Sequence, residues 1–140
     1  MYVLGFMFSP DGNEVVLVKK NRPAWQNGRL NGVGGKVNSG EGYFEAMVRE
    51  FEEEAGVHEE NWTHYADMNG VDWNCRVFYS FSEKYLDAQT MTDEPIVVEN
   101  VEYVNRLDSS EAISNIKWLM NLAICASEDE DLVLTTVQYK

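Results

Sequence analysis

Apolar positions follow two different rhythms along the chain. Tyr2 to Phe8 and Val15 to Lys19 are dense in β-branched and aromatic residues, and the stretch between them, Ser9-Pro10-Asp11-Gly12-Asn13, is a concentrated turn signal. They predict two strands paired as a hairpin. From Tyr43 to Ala55 the period becomes helical. At about 100° per residue, Phe44, Met47, Val48, Phe51 and Ala55 form one apolar arc. Trp62 to Met68 and Cys75 to Phe81 return to strand character around the turn Met68-Asn69-Gly70-Val71, and Ile96 to Val104 reads as a strand interrupted at Asn100. Ser109 or Ser110 caps a predicted helix running to Ala126, with Ile113, Ile116, Met120 and Ala123 on one face and Leu119 nearby. Leu132 to Tyr139 reads as a last strand. Asn21 to Gly35, rich in Gly and Asn, reads as a loop, and the polar stretch Tyr85 to Asp93 as a segment over a ligand. Strands on both sides of the Tyr43–Ala55 helix, with a second helix late in the chain, predict an α/β protein: a mixed β-sheet sandwiched between helices.

Composition narrows the partners. The 140 residues suit a single domain, and 44% hydrophobic with 12% aromatic content excludes a disordered chain. Eleven Lys and Arg against 24 Asp and Glu give a net charge of −13, which excludes a nucleic-acid polymer as partner. A small phosphorylated ligand remains compatible where metal ions offset the repulsion. Met1 to Phe8 is too short for a signal peptide and lacks its basic start, and no stretch approaches the roughly 20 apolar residues of a membrane span. Cys75 and Cys125 have no metal-ligand spacing and read as reduced thiols, so the expected location is cytoplasmic. Five of the eleven cations, Lys19, Lys20, Arg22, Arg29 and Lys36, gather ahead of the helix as a phosphate-steering rim. Strand alternation leaves at least one of Lys19 and Lys20 facing solvent. No Ser/His/Asp or Cys/His nucleophile arrangement stands out.

The helix itself carries the chemistry. Glu50, Glu53 and Glu54 lie at i, i+3 and i+4 on one arc, while Glu45, Arg49 and Glu52 share another. Like charges at those spacings cost about 0.2–0.5 kcal/mol per pair, a cost that a bound cation would offset. Gly42 is placed as N-cap and Gly56 as the left-handed terminator. Gly32, Gly34, Gly35 and Gly40 crowd the preceding loop, where backbone groups approach a ligand unobstructed. A hard ion such as Mg²⁺ takes one or two carboxylates plus substrate phosphates, and this arrangement suits it.

The full pattern, Gly35-x5-Glu41-x7-Arg49-Glu50-Phe51-x-Glu53-Glu54-x-Gly56-Val57, resembles the signature box of the Nudix hydrolases and matches it at every specified position. The resemblance implies the Nudix α/β/α fold over residues 1–140 and hydrolysis of a phosphoanhydride with Mg²⁺, or Mn²⁺ as a substitute. It implies Glu50, Glu53, Glu54 and the carbonyl of Gly35 as metal ligands, with Arg49 orienting a carboxylate. Glu41 reads either as a further ligand or as an acid placed for the helix dipole, worth roughly 0.3–1 kcal/mol. The general base is either a glutamate of the box, such as Glu53 or Glu50, or a distant one. Glu102 resembles the distant glutamate of MutT-type members, with Glu94 and Glu99 as competitors. Gly28 to Val37 is similar to the approach segment of the family's oxidised-purine triphosphatases, with Leu30 where a tryptophan is usual. There Asn31 either reads a base edge or satisfies loop backbone, and Asn115 resembles a base-contacting asparagine. The expected substrate contacts are Lys19, Lys20, Arg29, Asn31, Gly34, Lys36 and Asn115. The expected activity is cleavage of a nucleoside triphosphate to monophosphate and pyrophosphate, by a monomer or homodimer. The alternatives are hydrolysis of another nucleoside-diphosphate substrate such as ADP-ribose, and a non-catalytic nucleotide-binding module of the same fold.

Overall fold

Both faces of the central strands are apolar, and that decides the layering. The computed structural model describes residues 1–140. Strand β1 (Tyr2–Phe8) sends Leu4, Phe6 and Phe8 into one buried cluster and Val3 and Met7 into another. Strand β2 (Glu14–Lys19) splits in the same way, Val15 and Leu17 against Val16 and Val18. Helix α1 (Tyr43–Ala55) covers the Val3 side with Ala46, Met47, Phe51 and Ala55. Helices α2 (Val101–Arg106) and α3 (Ile116–Glu128) cover the other.

The remaining strands are β3 (Leu30–Asn31), β4 (Val33–Lys36), β5 (Thr63–Asn69), β6 (Asn74–Phe81), β7 (Ile96–Asn100) and β8 (Thr135–Gln138). All eight join one sheet in the order β3-β2-β1-β6-β5-β8, with β4 also on β1 and β7 also on β2. The β1–β6 and β5–β8 pairs are parallel and the others antiparallel, so the expected mixed sheet between helices is observed.

Several boundaries differ from the sequence expectation. The Asn21–Gly35 loop contains a turn of 3-10 helix at Ala24–Gln26, then β3 and the first part of β4. Its glycines do not prevent pairing, because β1 supplies a continuous antiparallel register from Tyr2↔Lys36 to Gly5↔Val33. In α1 the buried arc is rotated from the expected one. Phe44 is 45% exposed, whereas Ala46 is fully buried and lets the helix lie close to the sheet. The strand expected over Ile96–Val104 stops at Asn100, whose side chain accepts from the Tyr103 N–H and starts α2. The late helix begins at Ile116, not at Ser109 or Ser110. Leu30 engages the chain there, its N–H donating to the Glu111 carbonyl at 2.8 Å and its carbonyl accepting from Ile113 at 3.0 Å. That extended bridge cannot coexist with helical backbone. Ile113, Ile116, Leu119, Met120 and Ala123 are buried as expected. No helix is long and apolar enough to cross a membrane.

The two cysteines occupy opposite environments. Cys75 is buried in β6, and burial pushes its thiol up to about 12, while Cys125 is exposed on α3. Titration with a chromogenic disulfide reagent at pH 8 is expected to find one fast thiol in the native chain and two in denaturant, since only a thiolate attacks. Two fast native thiols would contradict the burial of Cys75.

Candidate active site

The start of α1 is tied to the strand before it by one guanidinium. Gly42 caps the helix in extended conformation, which leaves Glu41 just ahead of it and pointing back along its flank. Arg49 meets the Glu41 carboxylate with two parallel bonds, Nε to Oε2 at 2.7 Å and Nη2 to Oε1 at 2.9 Å. Its Nη1 reaches Glu50 at 2.9 Å and Glu53 at 3.2 Å, and its Nη2 also donates to the Lys36 carbonyl at 3.1 Å. Every donor position of the fork faces an acceptor, a geometry lysine does not reproduce. The Arg49 hydrogen bonds and the Asn38 N–H hold the Glu41 carboxyl down at about 2. The Glu41 bond, ahead of the Glu50 one, raises the Arg49 pKa further above its ordinary value.

One turn on, the environment becomes drier. Glu54 is half-buried, and its Oε2 is a buried atom with no hydrogen-bond partner. Burial, then the neighbouring Glu50 charge, pushes the Glu54 carboxyl up to about 7 against the pull of Lys20. Burial also raises the Glu50 carboxyl, with Arg49 opposing it. Two like charges in a dry setting are short of a cation. Gly35, on β4, faces Glu50: a methyl group there would lie 2.6 Å from the Glu50 carboxylate atoms. The donor set of carboxylates, one orphaned oxygen and a side-chain-free backbone suits a hard divalent ion.

The expected trio, however, is not assembled as a cage. No three acidic, histidine or cysteine side chains are grouped so as to hold a metal ion. Glu53 is 59% exposed and held only by Arg49, which also holds Glu41 and Glu50.

Of the candidate distant glutamates, Glu94 lies beside this site and Glu102 does not. Because the chain turns helical at Val101, Glu102 lies on α2, 82% exposed beside Arg106, past the end of β7 that pairs with Glu14. Glu94 precedes the other end of β7. It is 6% exposed and accepts from Lys20 Nζ at 2.8 Å and from the Asn21 and Arg22 N–H groups at 2.7 and 3.3 Å. Burial would raise its carboxyl, but these donors outweigh it and hold the group below its usual range. The stretch before it is clipped to the end of α1, Gln89 N–H to the Ala55 carbonyl at 3.0 Å and Met91 N–H to that of Glu54 at 3.3 Å. Sequence spacing gave no means of ranking Glu94 above its neighbours. The polar run ahead of it was the only signal.

Of the expected substrate contacts, Lys20 points into the site and Lys19 out to solvent. Arg29 is half-buried with no ion pair, and the Lys36 side chain is exposed. Asn31 is engaged with its own loop, Nδ2 donating to Gln26 at 3.1 Å and Oδ1 accepting from the Gly32 N–H at 2.8 Å. Asn115, at the start of α3, has a buried Oδ1 without a partner. Lys20, Gly34, Gly35, Asn31 and Asn115 line one cavity of about 700 Å³.

Comparison with known proteins agrees with this fold. The model of the NUDIX domain matches residues 1–124. No curated protein sequence matches the chain. A MutT structure from Bacillus halodurans aligns at 20% identity and TM-score 0.69, over 99% of this chain and 89% of its own. The NUDIX domain of Shewanella oneidensis NrtR, solved with ADP ribose, aligns at 14% identity and TM-score 0.75, over 90% and 86%. A MutT structure from work on the Aliivibrio salmonicida and Vibrio cholerae proteins aligns at 19% and 0.65, over 85% and 92%. The chain therefore belongs to the NUDIX family, and with that it is classed as a pyrophosphohydrolase acting on phosphoanhydride bonds. Hydrolases of this family use divalent metal ions.

Proposed function

We propose that residues 1–140 form one Nudix hydrolase domain, a cytoplasmic Mg²⁺-dependent enzyme that cleaves a nucleoside triphosphate to monophosphate and pyrophosphate. The observation that carries this is the partnerless Glu54 Oε2 next to Glu50, whose carboxylate faces Gly35. Glu50, Glu53, Glu54 and the Gly35 carbonyl are the proposed ligands, and Glu41, fully engaged by Arg49, positions that arginine. When bound, Mg²⁺ neutralises phosphate charge and makes a coordinated water more acidic. Arg49 keeps Glu50 and Glu53 oriented, and Glu53, with most of its surface in water, accepts the proton of the attacking water. The water oxygen bonds to a phosphorus as the bridging P–O bond breaks and the electron pair leaves with the departing phosphate. Lys20, held by Glu94, presents positive charge toward the chain of phosphates. Gly34 and Gly35 let those phosphates approach the backbone, and Asn115 offers an acceptor to the base.

The test is a panel of ribo- and deoxynucleoside triphosphates, oxidised purine triphosphates and ADP-ribose, each incubated with Mg²⁺ and analysed by ion-exchange chromatography. ADP-ribose belongs in the panel because of the likeness to the NrtR domain. A triphosphate converted to monophosphate and pyrophosphate, with turnover abolished by a chelator, is the expected result. Tight binding with no product from any nucleotide would replace the enzyme by a nucleotide-binding module. Size-exclusion chromatography distinguishes monomer from homodimer.

A further inference from the structure

The cavity that begins at Gly34 and Gly35 has an aromatic wall that comes from the end of the chain. Beyond residue 124, where the family match stops, α3 runs out at Glu128 and the chain returns as β8, parallel to β5 from Ala66↔Thr135 to Asn69↔Gln138. That register places Tyr139 one residue past the strand, its N–H donating to the Asn69 carbonyl at 2.7 Å. The Tyr139 ring lies 5.5 Å from that of Trp73, tilted by 45°, and its hydroxyl reaches Met68 Sδ at 3.9 Å. Trp73, Tyr139 and Met68 all line the cavity that also contains Gly35 and Asn115. Each ring is half-buried, so a face of the pair stays available inside a cavity large enough for a nucleoside. Asn115 Nδ2 sits 3.5 Å from Met68 Sδ, which ties the orphaned Oδ1 acceptor to the same wall.

We infer that Tyr139 and Trp73 form the stacking surface for the base, with β8 as the element that carries Tyr139 into the cavity. The inference rests on the nucleotide-hydrolase reading and assigns its base-binding end. A planar ring with an N–H donor on one edge would satisfy Asn115 while lying against the aromatic pair. Stacking of a base on an aromatic side chain is sequence-tolerant and is worth a measurable factor per ring.

The experiment measures KM and kcat of Tyr139→Ala and Tyr139→Phe on the best nucleotide of the panel, with tripolyphosphate as a base-free competitor. Tyr139→Ala is expected to raise KM about tenfold with kcat within threefold, and to leave inhibition by tripolyphosphate unchanged. Tyr139→Phe, which keeps the ring, is expected to stay within threefold on both constants. An unchanged KM in Tyr139→Ala overturns the inference while the hydrolase reading stands. An equal weakening toward tripolyphosphate also overturns it, because the loss would then be general. If the native chain turns over no nucleotide, the hydrolase reading fails by itself. The inference is then decided by nucleotide quenching of the fluorescence lost in Trp73→Phe. Quenching that disappears in Tyr139→Ala supports it, and absence of quenching overturns it.

Discussion

Glu53→Gln is expected to lower kcat by about 10²–10⁴-fold, the range in which a positioned proton acceptor contributes, with unfolding free energy changed by less than about 0.5 kcal/mol. The two effects separate because Glu53 is 59% exposed and its only partner is Arg49 at 3.2 Å, an exposed i,i+4 contact. Replacing the carboxylate by an amide keeps volume and removes charge, so the helix loses almost nothing while the site loses its acceptor. Steady-state kinetics and a urea denaturation curve on the same preparation test this. Activity retained within threefold in Glu53→Gln, together with its loss in Glu94→Gln, would move the proton acceptor to the buried glutamate on the clipped loop.

The second large effect comes from two adjacent glycines that the structure uses differently. A methyl group on Gly34 would lie 2.0 Å from the Val3 carbonyl oxygen, a backbone atom fixed by the β1–β4 register. For a methyl group on Gly35 the nearest atoms are at the end of the Glu50 side chain, at 2.6 Å. Gly34→Ala is therefore expected to destabilise the fold by roughly 2–4 kcal/mol, in the upper range for an overpacked site. Gly35→Ala is expected to fold with a loss below about 1 kcal/mol, because a carboxylate rotates aside, and to lose at least tenfold in kcat for the same reason. Thermal unfolding and kinetics on both variants read the contrast. Equal stability losses would show that Glu50 is as rigid as the strand backbone.

Elements with strong period were legible from residues alone. The continuous apolar runs of β1 and β2 and the helical spacing of α1 are encoded locally, so the layered α/β architecture followed. Gly56 has a left-handed φ of 72° and ends α1 where the glycine was placed. What failed depended on partners distant in sequence. Val101 to Val104 have strand composition, yet Asn100 and the Asn13 carbonyl capture the chain and turn it into α2. Ser109 and Ser110 look like helix caps, but Leu30 holds residues 111–113 extended. At the site, i,i+3,i+4 spacing correctly put three acids on one side of a helix. It carried no information on side-chain torsions, and Arg49, assigned to a different arc, reaches across to Glu41, Glu50 and Glu53. Ranking Glu94 above Glu102, and finding the Trp73–Tyr139 wall, both needed the sheet order.

The parallel pairing of β1 with β6 has a bearing on synthesis. Tyr2 to Phe8 find their register opposite Cys75 to Phe81, so one complete edge of the first strand stays bare until more than seventy further residues have left the ribosome. At translation rates of about 5–20 residues per second that delay lasts several seconds. The nascent chain thus carries an apolar edge open to neighbouring chains for that interval, and slower elongation lengthens the exposure.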